Sequence, residues 1–204
     1  MARLQFWFEF ASTYSYLSAM RIESAAASRG VAVEWRPFLL GPIFKAQGWN
    51  TTPFNLYPAK GRYMVRDMER LAAAGGLSFR MPDPFPQNSL KAARWATAGL
   101  GQPWLPAFVR GVYLAEFTEG KAIDDPAVLA RLAEGLGLDP EAIARASEGD
   151  ETKLSLRRAT EDAQARGLFG APAFVTEDNE IFWGDDRLDQ ALDWAAGRRT
   201  STTK

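Results

Sequence analysis

Residues 6–17 read FWFEFASTYSYL. Phe6, Trp7, Phe8 and Phe10 are aromatic β-formers, and Ala11-Ser12-Thr13 supplies small, polar turn and cap chemistry. Tyr14, Tyr16, Leu17, Ala19, Met20 and Ile22 follow at the spacing of a helix packed on a sheet. The stretch therefore predicts a strand that turns sharply into a helix, with Ser12 at the junction. A serine there stands beside unpaired backbone N–H groups and the positive end of a helix dipole, a place that favours an anion. A plain N-cap also accounts for Ser12, since capping needs only a hydroxyl that accepts a backbone N–H.

Outward from this stretch, composition narrows the chemistry. The 204 residues suit one domain, or one domain carrying a large insertion. At 47% hydrophobic and 12% aromatic, the chain has ample material for a buried core. The net charge is −1 and the basic residues are dispersed, so neither nucleic acid nor an anionic membrane is an expected partner. No apolar run reaches bilayer length, and Glu9 interrupts the N-terminal one, so no signal peptide is expected. Cysteine and histidine are both absent. Disulfides, thiolate zinc sites, cysteine nucleophiles and Ser-His-Asp triads are thereby excluded, and no metal is expected. Acid–base chemistry falls to carboxylates, Lys, Tyr or a bound molecule. A serine without a base is a poor nucleophile, and Ser12 is better suited to donating a hydrogen bond to another molecule's anion.

Along the chain, Gly30 stops the first helix, and residues 31–35 (VAVEW) alternate as a second strand closing at Arg36-Pro37. Residues 6–37 thus form a β-α-β crossover with parallel strands. Residues 48–58 are rich in Gly, Asn, Thr and Pro and read as irregular. Helices are expected over about 59–74, 89–98, 103–117 and 151–166, with two more opening at Asp125-Pro126 and Asp139-Pro140. Strand character returns at 169–175, a solvated turn at 177–180 leads to a strand at 181–183, and a helix over 187–196 follows Gly184-Asp185-Asp186. The polar tail from Arg198 onward reads as disordered. The order β-α-β, helices, β-β-α is that of an α/β thioredoxin-like fold with an inserted all-helical subdomain. Its thioredoxin-like part spans 1–38 and 167–204, and the helical insertion 39–166. Pro172 opens the third strand, where a cis bond would expose the preceding backbone to a ligand's peptide group.

Six segments carry a resemblance: FASTYSYL at 10–17, RPFLLG at 36–41, PAKGRY at 58–63, FPQNSL at 85–90, GLFGAP at 167–172 and FWGDDRL at 182–188. In this order they resemble the 2-hydroxychromene-2-carboxylate isomerases and the related kappa-class glutathione transferases, which share the DsbA-like fold. The resemblance implies glutathione as cofactor, with Ser12 hydrogen-bonding its sulfur and favouring the thiolate; thiol oxidoreductases of this fold carry cysteine at the positions of Ser12 and Ser15. It implies that Ala171, before Pro172, meets the backbone of the tripeptide's cysteine. Asp185 and Asp186, with Gly184, resemble the γ-glutamyl site, and Lys60 and Asn50 the glycyl site. Tyr14, Lys45, Trp49 and Asn88 are expected at the substrate. Capping of the last helix by Asp185 and Asp186, a solvated Lys60 and a capping Asn88 are the plain structural alternatives. Trp49, Phe54, Tyr57 and Phe85 roof the pocket or belong to the core. The implied function is isomerisation of a small aromatic carboxylate through a glutathione thiolate. A transferase acting on another electrophile, and a non-catalytic glutathione-binding protein, are the alternatives. Relatives of this kind often form homodimers. The need for a reduced thiol and the missing signal point to the cytoplasm.

Overall fold

The computed structural model describes residues 1–198; the tail expected to be disordered lies outside them, apart from Arg198. Four strands form one sheet: β1 (Ala2–Phe8), β2 (Val31–Pro37), β3 (Ala173–Thr176) and β4 (Ile181–Trp183), in the order β2-β1-β3-β4. β1 pairs parallel with β2 and antiparallel with β3, which pairs antiparallel with β4. Helix α1 (Thr13–Ala27) links β1 to β2, and α10 (Leu188–Ala195) follows β4 through a 3₁₀ turn, Asp185–Arg187. This is the predicted thioredoxin-like order.

Period-2 alternation explains how the opening strand is buried on both sides. Leu4, Phe6 and Phe8 face one core and Trp7 faces another, all fully buried. In register, Phe6 lies opposite Trp35 on β2 and Phe174 on β3, and its ring centroid lies 5.1 and 5.6 Å from theirs. This aromatic row ties three strands together. On the other face Trp7 packs with Phe38, Ile43, Ala163, Leu168 and Val175.

Between β2 and β3 run α2 (Leu40–Ala46), α3 (Pro53–Leu56), α4 (Pro58–Ala74), α5 (Leu90–Ala98), α6 (Leu105–Phe117), α7 (Pro126–Gly135), α8 (Pro140–Glu148) and α9 (Asp150–Ala165). Asp125 and Asp139 cap α7 and α8 with Pro at the first turn, as their dipeptides predict. Two short helices differ from the sequence reading. In α2, Pro42 sits in the first turn, where a missing N–H costs nothing, and Ile43 drops into the core beside Trp7. In α3, Thr52 caps and Pro53 starts a single turn within the stretch read as irregular. The third strand is shorter than expected, starting at Ala173, because Pro172 has no N–H for the ladder. No described helix is long and apolar enough to cross a membrane.

Candidate active site

β1 ends at Phe8, and Glu9-Phe10-Ala11 turns the chain so that the Ser12 N–H donates to the Glu9 carbonyl at 3.0 Å. Ser12 then caps α1: its Oγ accepts from the Ser15 N–H at 3.2 Å. The same hydroxyl donates its proton to the Ala171 carbonyl at 2.9 Å, across 159 residues of sequence. The cap and the long-range contact coexist. The Ala171-Pro172 bond is cis. The loop 81–86 holds two more cis bonds, Asp83-Pro84 and Phe85-Pro86.

Around this junction opens a cavity of about 1450 Å³. It collects Ser12, Tyr14, Lys45, Trp49, Asn50, Lys60, Asn88, Ala171, Gly184, Asp185 and Asp186 on one wall or another. Of the expected site residues only Pro172 stays off the lining; its carbonyl accepts the Gly184 N–H at 3.0 Å and so joins the two loops. Phe54, Phe85 and Trp49 line the cavity, with the Trp49 ring tilted against Phe44 at 5.7 Å. Tyr57 does not line it: its ring lies out in solvent beneath the Lys60 ammonium, 4.9 Å away.

The two aspartates separate. Asp185, with a side chain 13% exposed, accepts from Ser18 Oγ at 2.8 Å and from Arg21 Nε at 3.3 Å, and so fastens the 3₁₀ turn to α1. Asp186 is 74% exposed and reaches only Arg187, at 3.8 Å. Neither caps the last helix. Gly184 has φ 105°, and a Cβ there would lie 2.6 Å from Asp186 Oδ1, so this turn requires glycine. Asn88 Oδ1 accepts the Leu90 N–H at 3.2 Å at the start of α5, one residue before Ser89, which holds the N-cap position expected for Asn88. Tyr14 donates to Asp67 Oδ2 at 2.9 Å, and burial together with that carboxylate raises its phenol above the ordinary value. Thr13 is buried and hydrogen-bonds Met64 Sδ at 3.4 Å, binding α1 to α4.

Phe169, Trp183 and Glu9 are among the cavity residues that escaped the sequence reading as site residues. Phe169 and Trp183 meet at a tilt with ring centroids 4.8 Å apart, both about half exposed, at the rim beside Ala171. Glu9 is 6% exposed and lines the floor, where its carboxyl accepts from Ser89 Oγ and the Ala11 N–H. Burial raises it to about 7 against these hydrogen bonds, which pull the other way. A lone acid closing an aromatic strand was the available signal, because a carboxylate in such a place needs a reason to be there.

The profile of the DSBA-like thioredoxin domain matches residues 3–194. A 2-hydroxychromene-2-carboxylate isomerase of Sphingobium xenophagum is 34% identical over 191 residues, covering 91% of this chain and 94% of that protein. The chain belongs to the 2-hydroxychromene-2-carboxylate isomerase family of DSBA-like thioredoxin domains. A solved member of this isomerase family superposes with a TM-score of 0.82 at 28% identity, covering 96% of this chain and 95% of that one. The kappa class is also near: glutathione S-transferase kappa 2 of Caenorhabditis elegans is 25% identical over 210 residues, covering 95% and 91% of the two chains.

Proposed function

We propose that this protein is a glutathione-dependent isomerase of 2-hydroxychromene-2-carboxylate-like aromatic compounds, and that Ser12 holds the glutathione sulfur as thiolate. The observation that carries this reading is the hydrogen bond that brings Ser12 Oγ and the Ala171 carbonyl together in one large cavity. Glutathione fits the residues present. Asp186 offers an exposed carboxylate to an ammonium, Lys60 offers an ammonium to a carboxylate, and the α1 N-terminus offers a positive field to a thiolate. Ser12 would turn its proton from Ala171 to the sulfur while its oxygen keeps the Ser15 N–H. Bound glutathione would supply the nucleophile whose reversible addition lets the substrate's double bond rotate. Lys45, Trp49 and Asn88 are assigned to the substrate's carboxylate and ring, with Phe54 and Phe85 keeping water out. A reducing cytoplasm suits a free thiol.

Calorimetric titration of reduced glutathione into the wild type and Ser12→Ala, at pH 6.5 and pH 8.5, tests the cofactor. Binding weaker in the variant, more so at high pH, supports a thiolate held by Ser12; no binding by the wild type sinks it. The kappa-class relative supports a second reading, transfer of glutathione to another electrophile. Loss of free thiol in step with turnover would select it, whereas an isomerase leaves the thiol count unchanged.

A further inference from the structure

The chain contains no histidine, so a proton donor and acceptor working near neutrality has to be another group moved there by its surroundings. The cavity floor holds one. The Glu9 carboxyl receives the Ser89 hydroxyl, and both residues line the cavity while remaining almost wholly buried. Ser89 precedes α5 but makes no side-chain cap bond there, so the helix does not account for its hydroxyl. From α6 the Tyr113 hydroxyl donates to the Glu9 carbonyl at 3.0 Å, and Glu116 is fully buried with both carboxylate oxygens lacking a hydrogen-bond partner among the described residues. Burial and the neighbouring Glu9 charge hold both α6 groups in their neutral forms, with pKa values well above the ordinary range. From α1 come Ser12 and Thr13, neither charged. The remaining ionisable groups lining the cavity are Tyr14, Lys45, Lys60, Asp67, Asp185 and Asp186. Burial raises the Glu9 carboxyl to about 7.

We infer that Glu9 and Ser89 form the acid–base pair of this cavity, exchanging a proton with an oxygen of the bound substrate. The inference rests on the isomerase reading, since opening and closing a 2-hydroxychromene ring moves a proton between two oxygens. In the forward step the substrate hydroxyl gives its proton to Ser89 Oγ as Ser89 gives its own to the Glu9 carboxylate. The carboxylate becomes a carboxylic acid and the substrate oxygen carries the electron pair. The return step runs the same transfers backwards to the other oxygen, leaving the protein unchanged. Glu116, held neutral, keeps the pocket from accumulating a second negative charge.

The test follows turnover of a 2-hydroxychromene-2-carboxylate with catalytic glutathione from pH 5.5 to 9, in the wild type, Glu9→Gln and Ser89→Ala. Glutathione binding and thermal unfolding are measured alongside. Glu9→Gln is expected to lower kcat/KM by about 10² or more and to abolish the limb near pH 7, while still binding glutathione. Ser89→Ala removes a hydrogen bond that lowers the Glu9 pKa, so its surviving limb should move to higher pH. In the wild type, ¹³C-carboxyl NMR should show Glu9 titrating near 7 without any ligand. A folded Glu9→Gln with unchanged rate and profile would overturn the proposal, as would a Glu9 carboxyl titrating at the ordinary position. An inactive wild type would instead sink the isomerase reading and this pair with it. Thiol binding lost in Ser12→Ala but kept in Glu9→Gln separates the two roles.

Discussion

Ser12 does two jobs with one hydroxyl, accepting from Ser15 and donating to Ala171. Ser12→Ala should therefore lower stability by about 1 kcal/mol through the lost cap, read as a shift in urea midpoint, besides any effect on glutathione. The adjacent aspartates separate in the same way. Asp185→Asn should lower Tm by weakening its hold on Ser18 and Arg21, whereas Asp186→Asn should leave Tm alone and weaken glutathione binding. Equal thermal losses in both would contradict the division. These residues were legible because short motifs preserve residue type and order. The division of labour between Asp185 and Asp186 was not, since it depends on which side chain the turn at Gly184 points toward α1.

At the scale of elements, α6 is the anomaly. It is buried nearly all round, yet carries Glu116 with no hydrogen-bond partner among the described residues. Glu116→Met keeps the volume and removes a carboxyl that must stay protonated when folded. The substitution should stabilise the protein at pH 8 by about 1–3 kcal/mol in urea unfolding, and by clearly less at pH 4.5. A loss at pH 8 would mean that the carboxyl has a partner in solution. The helix pattern over 103–117 was visible in sequence as apolar periodicity, but periodicity does not say that a second layer covers the polar side. For the same reason no helix was read over 40–46, although Gly41-Pro42 forms a first helical turn anchored by Ile43.

Across the whole molecule the buried acids set the pH dependence of stability. Glu9 is raised from 4.5 to about 7, so the folded state holds a proton that the unfolded chain releases. Its stabilisation is complete below pH 4.5 and is lost as pH rises to about 7, a change of about 3 kcal/mol. Glu116 acts with the same sign and continues beyond. Asp189, lowered by its hydrogen bond to Arg21, contributes in the opposite sense and is lost only on acidification below its ordinary range. Urea unfolding should therefore be hardest on the acid side of neutrality, and Glu9→Gln should flatten the slope between pH 5 and 7. A stability that rises through that window would contradict a neutral buried Glu9.

By itself the sequence determined the element order, the family and a set of residues, Ser12, Lys60 and Asp186 among them, that line one cavity. Each is written in local pattern: strand alternation, Asp-Pro caps, and motifs whose spacing survives without knowledge of distant neighbours. The tertiary structure alone decided that Ser12 meets Ala171 across 159 residues, that Asp185 is tied to α1 while Asp186 stands exposed, and that Glu9 and Glu116 are both buried. A carboxyl's charge state follows from how much water and which charges surround it, and those come from elements far apart in the chain.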